Sequence, residues 1–152
     1  RAPYDIKSPM SEQTEPLPSP VKAVAGLRVD RETALRVDAY TRLLASGGFE
    51  PGDPVWGLHD FPGVVYLTGA RAPVTPWLFR SVEWEPFTCL MLERAPSDGR
   101  REFLLLSREP SELVRACLTR SGRSLEGATT LGVVPDGPEG PVRVVALPSG
   151  AR

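Results

Sequence analysis

The chain has 152 residues, which is enough for one domain with a substantial hydrophobic core. Hydrophobic residues make up 41% of it and charged residues 24%, so the composition excludes wholesale disorder. Its 18 basic and 19 acidic side chains are interspersed and give a formal net charge of -1, so nucleic acid is not an expected partner.

A proline-rich leader or linker is predicted for residues 1–29. Five of the 17 prolines fall within residues 1–20, where neither helical nor strand periodicity is present. The chain begins with Arg1 rather than Met and has no signal-peptide core there, which indicates a piece of a longer protein. We expect one α/β domain over residues 30–148 and a tail over residues 149–152.

The first strong element is a helix predicted over Arg31–Ser46. Asp30 is a suitable N-cap because its carboxylate can accept from amides of the first turn, and Gly47 and Gly48 offer a left-handed stop. The face that we expect to pack in the core consists of Ala34, Val37, Tyr40 and Leu44.

The next segment alternates turns with short elements. A turn at residues 51–53 precedes a buried strand over Val55–Leu58, and Val64–Gly69 has the pattern of a short helix closed by glycine. Residues 70–86 are predicted to be irregular. Phe87–Arg94 fits either a helix or a strand, and its apolar spacing behind a proline favours the helix.

The C-terminal part supplies the remaining elements. Phe103–Ser107 is typical of a fully buried strand, and a helix is predicted from Pro110 at its first position through Arg120. Leu131–Val134 and Val142–Leu147 are predicted strands, joined by a glycine- and proline-rich connection that indicates an antiparallel pair. This order predicts an α/β fold, a three-layer sandwich with a small, mostly parallel sheet and an antiparallel edge pair.

The two cysteines, Cys89 and Cys117, lie in apolar patterns 28 residues apart. With no CxxC pair and a single histidine in the chain, neither a zinc site nor any other cofactor is expected. The patterns favour two buried thiols that act as small hydrophobic side chains, and a disulfide is the alternative.

No self-contained catalytic motif is present. The chain lacks the glycine-rich nucleotide motifs, the GxSxG nucleophile motif and the HExxH metal motif. His59 and Asp60 follow a predicted strand, where α/β sheets place ligands, but no nucleophile is marked out beside them. A histidine bonded within its own loop is therefore the simpler interpretation, and catalysis by this chain is not expected.

A family resemblance comes from residues 48–77, GFEPGDPVWGLHDFPGVVYLTGARAPVTPW. This stretch resembles the extracytoplasmic C-terminal domain of bacterial polytopic glycosyltransferases of the protein mannosyltransferase and aminoarabinose transferase type. In the family's usual pattern, TGRxP, the arginine directly follows the glycine, whereas here Ala70 stands between Gly69 and Arg71. The positions that match are Pro51, Gly52, Asp53, Val55, Trp56, Tyr66, Leu67, Thr68, Gly69, Arg71 and Pro73.

The resemblance implies a non-catalytic accessory domain, since that family's catalytic carboxylates lie in its membrane-embedded part. The expected location is the periplasmic or extracellular face of the bacterial inner membrane. The expected partners are the membrane-embedded part of the parent protein and its lipid-linked sugar donor or acceptor. The alternative is a soluble α/β binding module for a nucleotide-like or small anionic ligand.

The candidate binding residues follow from both interpretations. We expect the loops 59–62 and 71–80 to lie at one end of the sandwich and to present aromatic and arginine side chains to membrane or ligand. A packing role within irregular loops is the alternative. The candidates are His59, Asp60, Phe61, Tyr66, Arg71, Trp77 and Arg80.

Overall fold

The structure is a computed structural model that describes residues 9–58, 61–75, 82–137 and 140–148. Within these ranges, part of the proline-rich leader is folded. Strand β1 (Glu15–Pro16) pairs antiparallel with strand β2 (Arg28–Val29), and 3-10 turns lie at Met10–Glu12 and Lys22–Val24. The Ser19 hydroxyl donates a hydrogen bond of 2.6 Å to the Leu67 carbonyl oxygen. The leader is thus laid against the α/β domain, with two short strands that the sequence did not predict.

Helix α1 spans Arg31–Ser46, as predicted. The Asp30 carboxylate accepts a hydrogen bond of 2.9 Å from the Thr33 amide, and Gly48 has the positive φ of a helix stop. Three of the four side chains predicted for the core are buried: Val37, Tyr40 and Leu44. Local signals therefore determine this helix.

The main sheet has four strands in the order β3-β4-β6-β5. They are β3 (Val55–Leu58), β4 (Phe103–Leu106), β5 (Thr129–Gly137) and β6 (Gly140–Ala146). The β3–β4 pair is parallel, whereas β4–β6 and β6–β5 are antiparallel.

The α/β class and the antiparallel pair at one edge are confirmed, but the sheet is mixed and the prediction of mostly parallel strands is wrong. The reason is the position of β6 between β4 and β5. Val144 and Val145 of β6 point to opposite faces and are both buried, so this strand must lie inside the sheet. Val133 of β5 is 55% exposed, as suits the edge.

The other helices are α2 (Pro62–Leu67), α3 (Glu85–Arg94) and α4 (Glu112–Arg120). Helices α2 and α3 begin about two residues before their predicted starts, since each accommodates a proline in its first turn. Helix α4 begins later than predicted because Ser111 is its N-cap and accepts from the Val114 amide at 3.2 Å. Val82–Trp84 forms a 3-10 turn in the segment predicted to be irregular.

Helices cover both faces of the sheet, which confirms the three-layer arrangement. Strand β4 shows this by alternation: Phe103 and Leu105 pack under α1 and α2, while Leu104 and Leu106 pack under α3 and α4. All four of these side chains are buried. Within the described ranges, no helix is long and apolar enough to cross a membrane.

Cys89 of α3 and Cys117 of α4 form a disulfide, so the preference for two free thiols is wrong. Their Cα atoms lie 5.3 Å apart, within the range that a disulfide requires. The sequence pattern indicated that both side chains face the core. It could not show that α3 packs against α4, which brings the two cysteines together.

Candidate functional site

A cleft of about 490 Å³ lies at the amino-terminal end of β4. Its walls come from the α3–β4 loop at residues 97–102, the end of α4 at residues 121–123, and residues 147–148 after β6. The backbone closes one side, because the Leu147 amide donates to the Glu102 carbonyl oxygen at 2.9 Å. This bond joins the segment before β4 to the segment after β6 at the cleft.

A buried ion pair forms the floor of this cleft. The Arg123 side chain is 4% exposed and the Glu102 side chain 9%. Arg123 donates through Nε to Glu102 Oε2 at 2.6 Å and through Nη2 to Oε1 at 3.2 Å, which is the bidentate geometry of a strong pair. Trp56 Nε1 donates to the same Oε2 atom at 2.7 Å, and the guanidinium lies 5.0 Å from the Trp56 ring centroid.

The remaining donors of Arg123 bind backbone carbonyl oxygens at the ends of two helices. Nη1 donates to Leu92 at 3.0 Å and to Ser121 at 3.2 Å, and Nη2 donates to Ala95 at 3.2 Å. These carbonyls carry the partial negative charge of the α3 and α4 C-termini, which favours a cation. All five N–H groups of Arg123 have acceptors, so its role is to join α3, α4, β3 and β4.

The charges on the rim compensate one another. Arg71 pairs with Asp98 at 2.5 Å, and Arg100 pairs with Asp53 at 3.5 Å. The Asp53 carboxylate also accepts from the Glu50 amide at 2.8 Å and is largely buried. The two carboxylates that pair with these arginines thus act as counter-ions and turn caps rather than as a free acid and base.

The predicted site residues separate in the structure. Arg71 reaches the rim of the cleft through Asp98. Tyr66 is 52% exposed on α2. Phe61 is 2% exposed and packs against β3 at Gly57, where a Cβ atom would lie 2.8 Å from the Phe61 Cβ. The Phe61 ring therefore lies in the core, not at the surface where we expected it.

Four predicted site residues lie outside the described residues: His59, Asp60, Trp77 and Arg80. The grouping of these four residues stays a prediction. Arg71, the first residue of the loop 71–80, bonds to Asp53 and Val55 at the amino-terminal start of β3, so the prediction that both loops lie at one end of the sandwich is wrong for Arg71. The cleft that the structure describes is at the amino-terminal end of β4.

Several residues that carry the family resemblance are joined by backbone hydrogen bonds between residues 52–55 and residues 69–71, an arrangement that we call the backbone clasp. The Gly52 amide donates to the Gly69 carbonyl oxygen at 2.8 Å, and the Arg71 amide donates to that of Asp53 at 3.0 Å. The Val55 amide in turn donates to the Arg71 carbonyl oxygen at 3.0 Å. Gly52 and Gly69 have φ values of 92° and 73°, which other residues adopt poorly. These bonds hold the turn before β3 against the turn after α2, at the point where β3 begins.

Sequence reasoning missed Glu102 and Arg123. The only local signal is a glutamate directly before a strand that is buried throughout, and its partner stands 21 residues away. Among the residues that the structure describes, no three His, Cys, Asp or Glu side chains are grouped so that they could hold a metal ion. Comparisons of the chain with family models, with curated proteins and with solved structures found no significant match.

Proposed function

We propose that the chain is a non-catalytic extracytoplasmic accessory domain of an integral membrane glycosyltransferase that uses a lipid-linked sugar donor. The observation that carries this proposal is the disulfide between Cys89 and Cys117. Disulfides persist in the periplasm and outside the cell, whereas cytosolic thiols are kept reduced. The bond therefore supports an extracytoplasmic location, which the resemblance also implies.

The non-catalytic role is supported by the chemistry of the cleft. Its buried arginine is fully bonded, and the rim carboxylates Asp53 and Asp98 are each paired with an arginine. A general acid or base needs a proton position that a substrate can reach, and these groups are committed to one another. We assign the chemistry to the membrane-embedded part of the parent protein.

The membrane glycosyltransferase itself is proposed from the residues of the clasp. They match the turn and helix-end positions of that family's soluble domain, and they contact each other in this fold. Reading the gene upstream of Arg1 tests this part directly. Transmembrane helices encoded there would support the proposal, and an open reading frame that begins near Arg1 with no preceding transmembrane helices would remove it.

Of the loops 59–62 and 71–80 expected to contact the membrane half, we assign the contact to Trp77 and Arg80, because Phe61 is buried and Arg71 bonds at the amino-terminal start of β3. In the full-length protein, Trp77→Ala with Arg80→Ala should lower sugar transfer several-fold, while the isolated domain keeps its Tm. The control is Trp84→Ala with Arg94→Ala, which changes the same residue types outside those loops. Equal activity of both double variants, or a loss of Tm by the first, would contradict the assigned contact.

A further inference from the structure

Two arginines converge on one glutamate at the carboxyl end of β4. Glu109 lies in the loop between β4 and α4, and its Oε2 atom is 2.5 Å from Arg115 Nη2. Its Oε1 atom is 2.6 Å from Nη2 of Arg143, which stands opposite Leu106 in the β4–β6 register. Each oxygen atom of this single carboxylate thus pairs with one of the two guanidinium groups.

These three side chains line a cavity of about 150 Å³. Thr130 of β5 also lines it, and the apolar side chains Leu125, Ala128 and Val145 complete its wall. The cavity lies beside the antiparallel strands β5 and β6, on the face of the sheet that α3 and α4 cover, and Glu109 reaches it from the loop that follows β4.

The charges at this cavity do not balance. Among the described side chains that line the cavity, two guanidinium groups face one carboxylate, which is an excess of one positive charge. The glutamate side chain is 62% exposed, and those of Arg115 and Arg143 are 47% and 33% exposed. Exposed ion pairs of this kind are weak, so a competing anion can displace Glu109 at small cost.

We propose that Arg115 and Arg143 form a binding site for a phosphate-type oxyanion, and that Glu109 occupies the ligand's position when the site is empty. Guanidinium groups present planar donor pairs that match phosphate oxygens. The Thr130 side chain on the same cavity wall adds a hydroxyl donor. This site does not rest on the proposed membrane function.

A neighbouring ion pair between α4 and α3 shows how a simple surface contact differs from the proposed anion site. Arg120 pairs with Glu93 at 2.7 Å, one cation to one carboxylate, and neither residue lines the cavity. Arg120 also lies on the same helix as Arg115 and has similar exposure. It is therefore the matched control.

The test is a calorimetric titration of the 152-residue chain with inorganic phosphate at fixed ionic strength. Relative to the unmodified chain, Glu109→Gln should bind phosphate about fivefold more tightly, because it keeps the shape of the side chain and removes the competing charge. Arg143→Gln should weaken binding at least tenfold, and Arg120→Gln should leave it unchanged.

A Tm measurement on each variant separates binding from folding. If Arg143→Gln does not fold, Glu109→Gln decides the question alone. Absence of phosphate binding by both the unmodified chain and Glu109→Gln would overturn the proposal. Equal loss of binding in Arg143→Gln and Arg120→Gln would also overturn it, since it would show non-specific attraction.

The phosphate group could belong to a dissolved ligand or to a lipid headgroup. Co-sedimentation with phosphatidylcholine vesicles that contain phosphatidic acid distinguishes these sources. Sedimentation that requires Arg143 supports a headgroup, and phosphate binding without such sedimentation supports a dissolved phosphate ligand.

Discussion

Arginine and glutamate meet at both ends of β4, with different consequences. At the amino-terminal end, the Arg123 side chain is 4% exposed and every donor has an acceptor. At the carboxyl end, Arg115 and Arg143 share the exposed carboxylate of Glu109. Where the arginine is buried and all its donors are bonded, the pair stabilises the packing of the helices. Where the side chains are exposed and two arginines share one glutamate, the cluster is a candidate ligand site.

The largest expected effect is at the buried end. Arg123→Gln should lower the free energy of unfolding by about 3–5 kcal/mol, because the Glu102 charge remains buried without its counter-ion. Arg143→Gln, the matched change at the exposed end, should lower it by less than about 1 kcal/mol. Urea unfolding of both variants measures the difference. Equal losses would remove the distinction between the two ends.

The disulfide joins the two helices whose ends meet at Arg123. Cys89→Ala with Cys117→Ala should lower the free energy of unfolding by about 2–4 kcal/mol, because the bond restricts the unfolded chain between residues 28 apart. Thermal or urea unfolding of the double variant checks this, with the reduced unmodified chain as the control that lacks the bond but keeps both cysteine side chains. A loss below about 1 kcal/mol would show that α3 and α4 are held by packing and by Arg123 alone.

Trp56 sharpens the account of the buried cluster. Trp56→Phe keeps an aromatic ring but removes the hydrogen bond from Nε1 to Glu102, and should lower the free energy of unfolding by about 1–3 kcal/mol. Trp84→Phe, at a site where the side chain is 47% exposed, is the control and should change it by less than about 0.5 kcal/mol. If both variants unfold alike, the bond to Glu102 contributes nothing measurable.

Tyr40 provides a contrast with Arg123, since it is fully buried but its hydroxyl has no hydrogen-bond partner in the described part of the chain. Tyr40→Phe should therefore leave the free energy of unfolding unchanged at pH 7, or raise it by about 1 kcal/mol. A loss greater than about 1 kcal/mol in urea unfolding would show that the hydroxyl contributes a bond.

Alkaline pH tests the same hydroxyl. Burial raises the pKa of Tyr40 from 10.0 to about 12, against a smaller lowering by Arg36. Between these values the unfolded chain loses the proton and the folded chain keeps it, so the group favours unfolding increasingly as pH rises from 10 to 12. The unmodified chain should lose more stability over this range than Tyr40→Phe does. Parallel losses would place the hydroxyl in contact with water.

The sequence predicted what local signals determine. Asp30, the apolar stripe and the glycines define α1 to the residue, and alternation identifies the buried strands. The place of β6 beside β4 was not predicted, because strand order depends on contacts between distant segments. The disulfide was only the alternative and the Arg123–Glu102 pair was missed for the same reason: each requires α3 and α4 to be packed first.

The candidate site was predicted less well than the fold. Arg71 lies at the rim of the cleft, but its own turn and Asp98 explain its position. Phe61 is a core residue because Gly57 leaves room for its ring on β3. An aromatic residue in an irregular stretch has the same appearance in sequence whether it packs inward or faces a partner.

The redox state of the two cysteines in the native cell tests the extracytoplasmic assignment most directly. Cells are treated with an alkylating agent before lysis, and the protein is digested without reduction. Mass spectrometry then follows the tryptic peptides 81–94 and 116–120, which contain Cys89 and Cys117. We expect one disulfide-linked pair that separates only after reduction. Two separate peptides, each alkylated at its cysteine, would contradict the assignment.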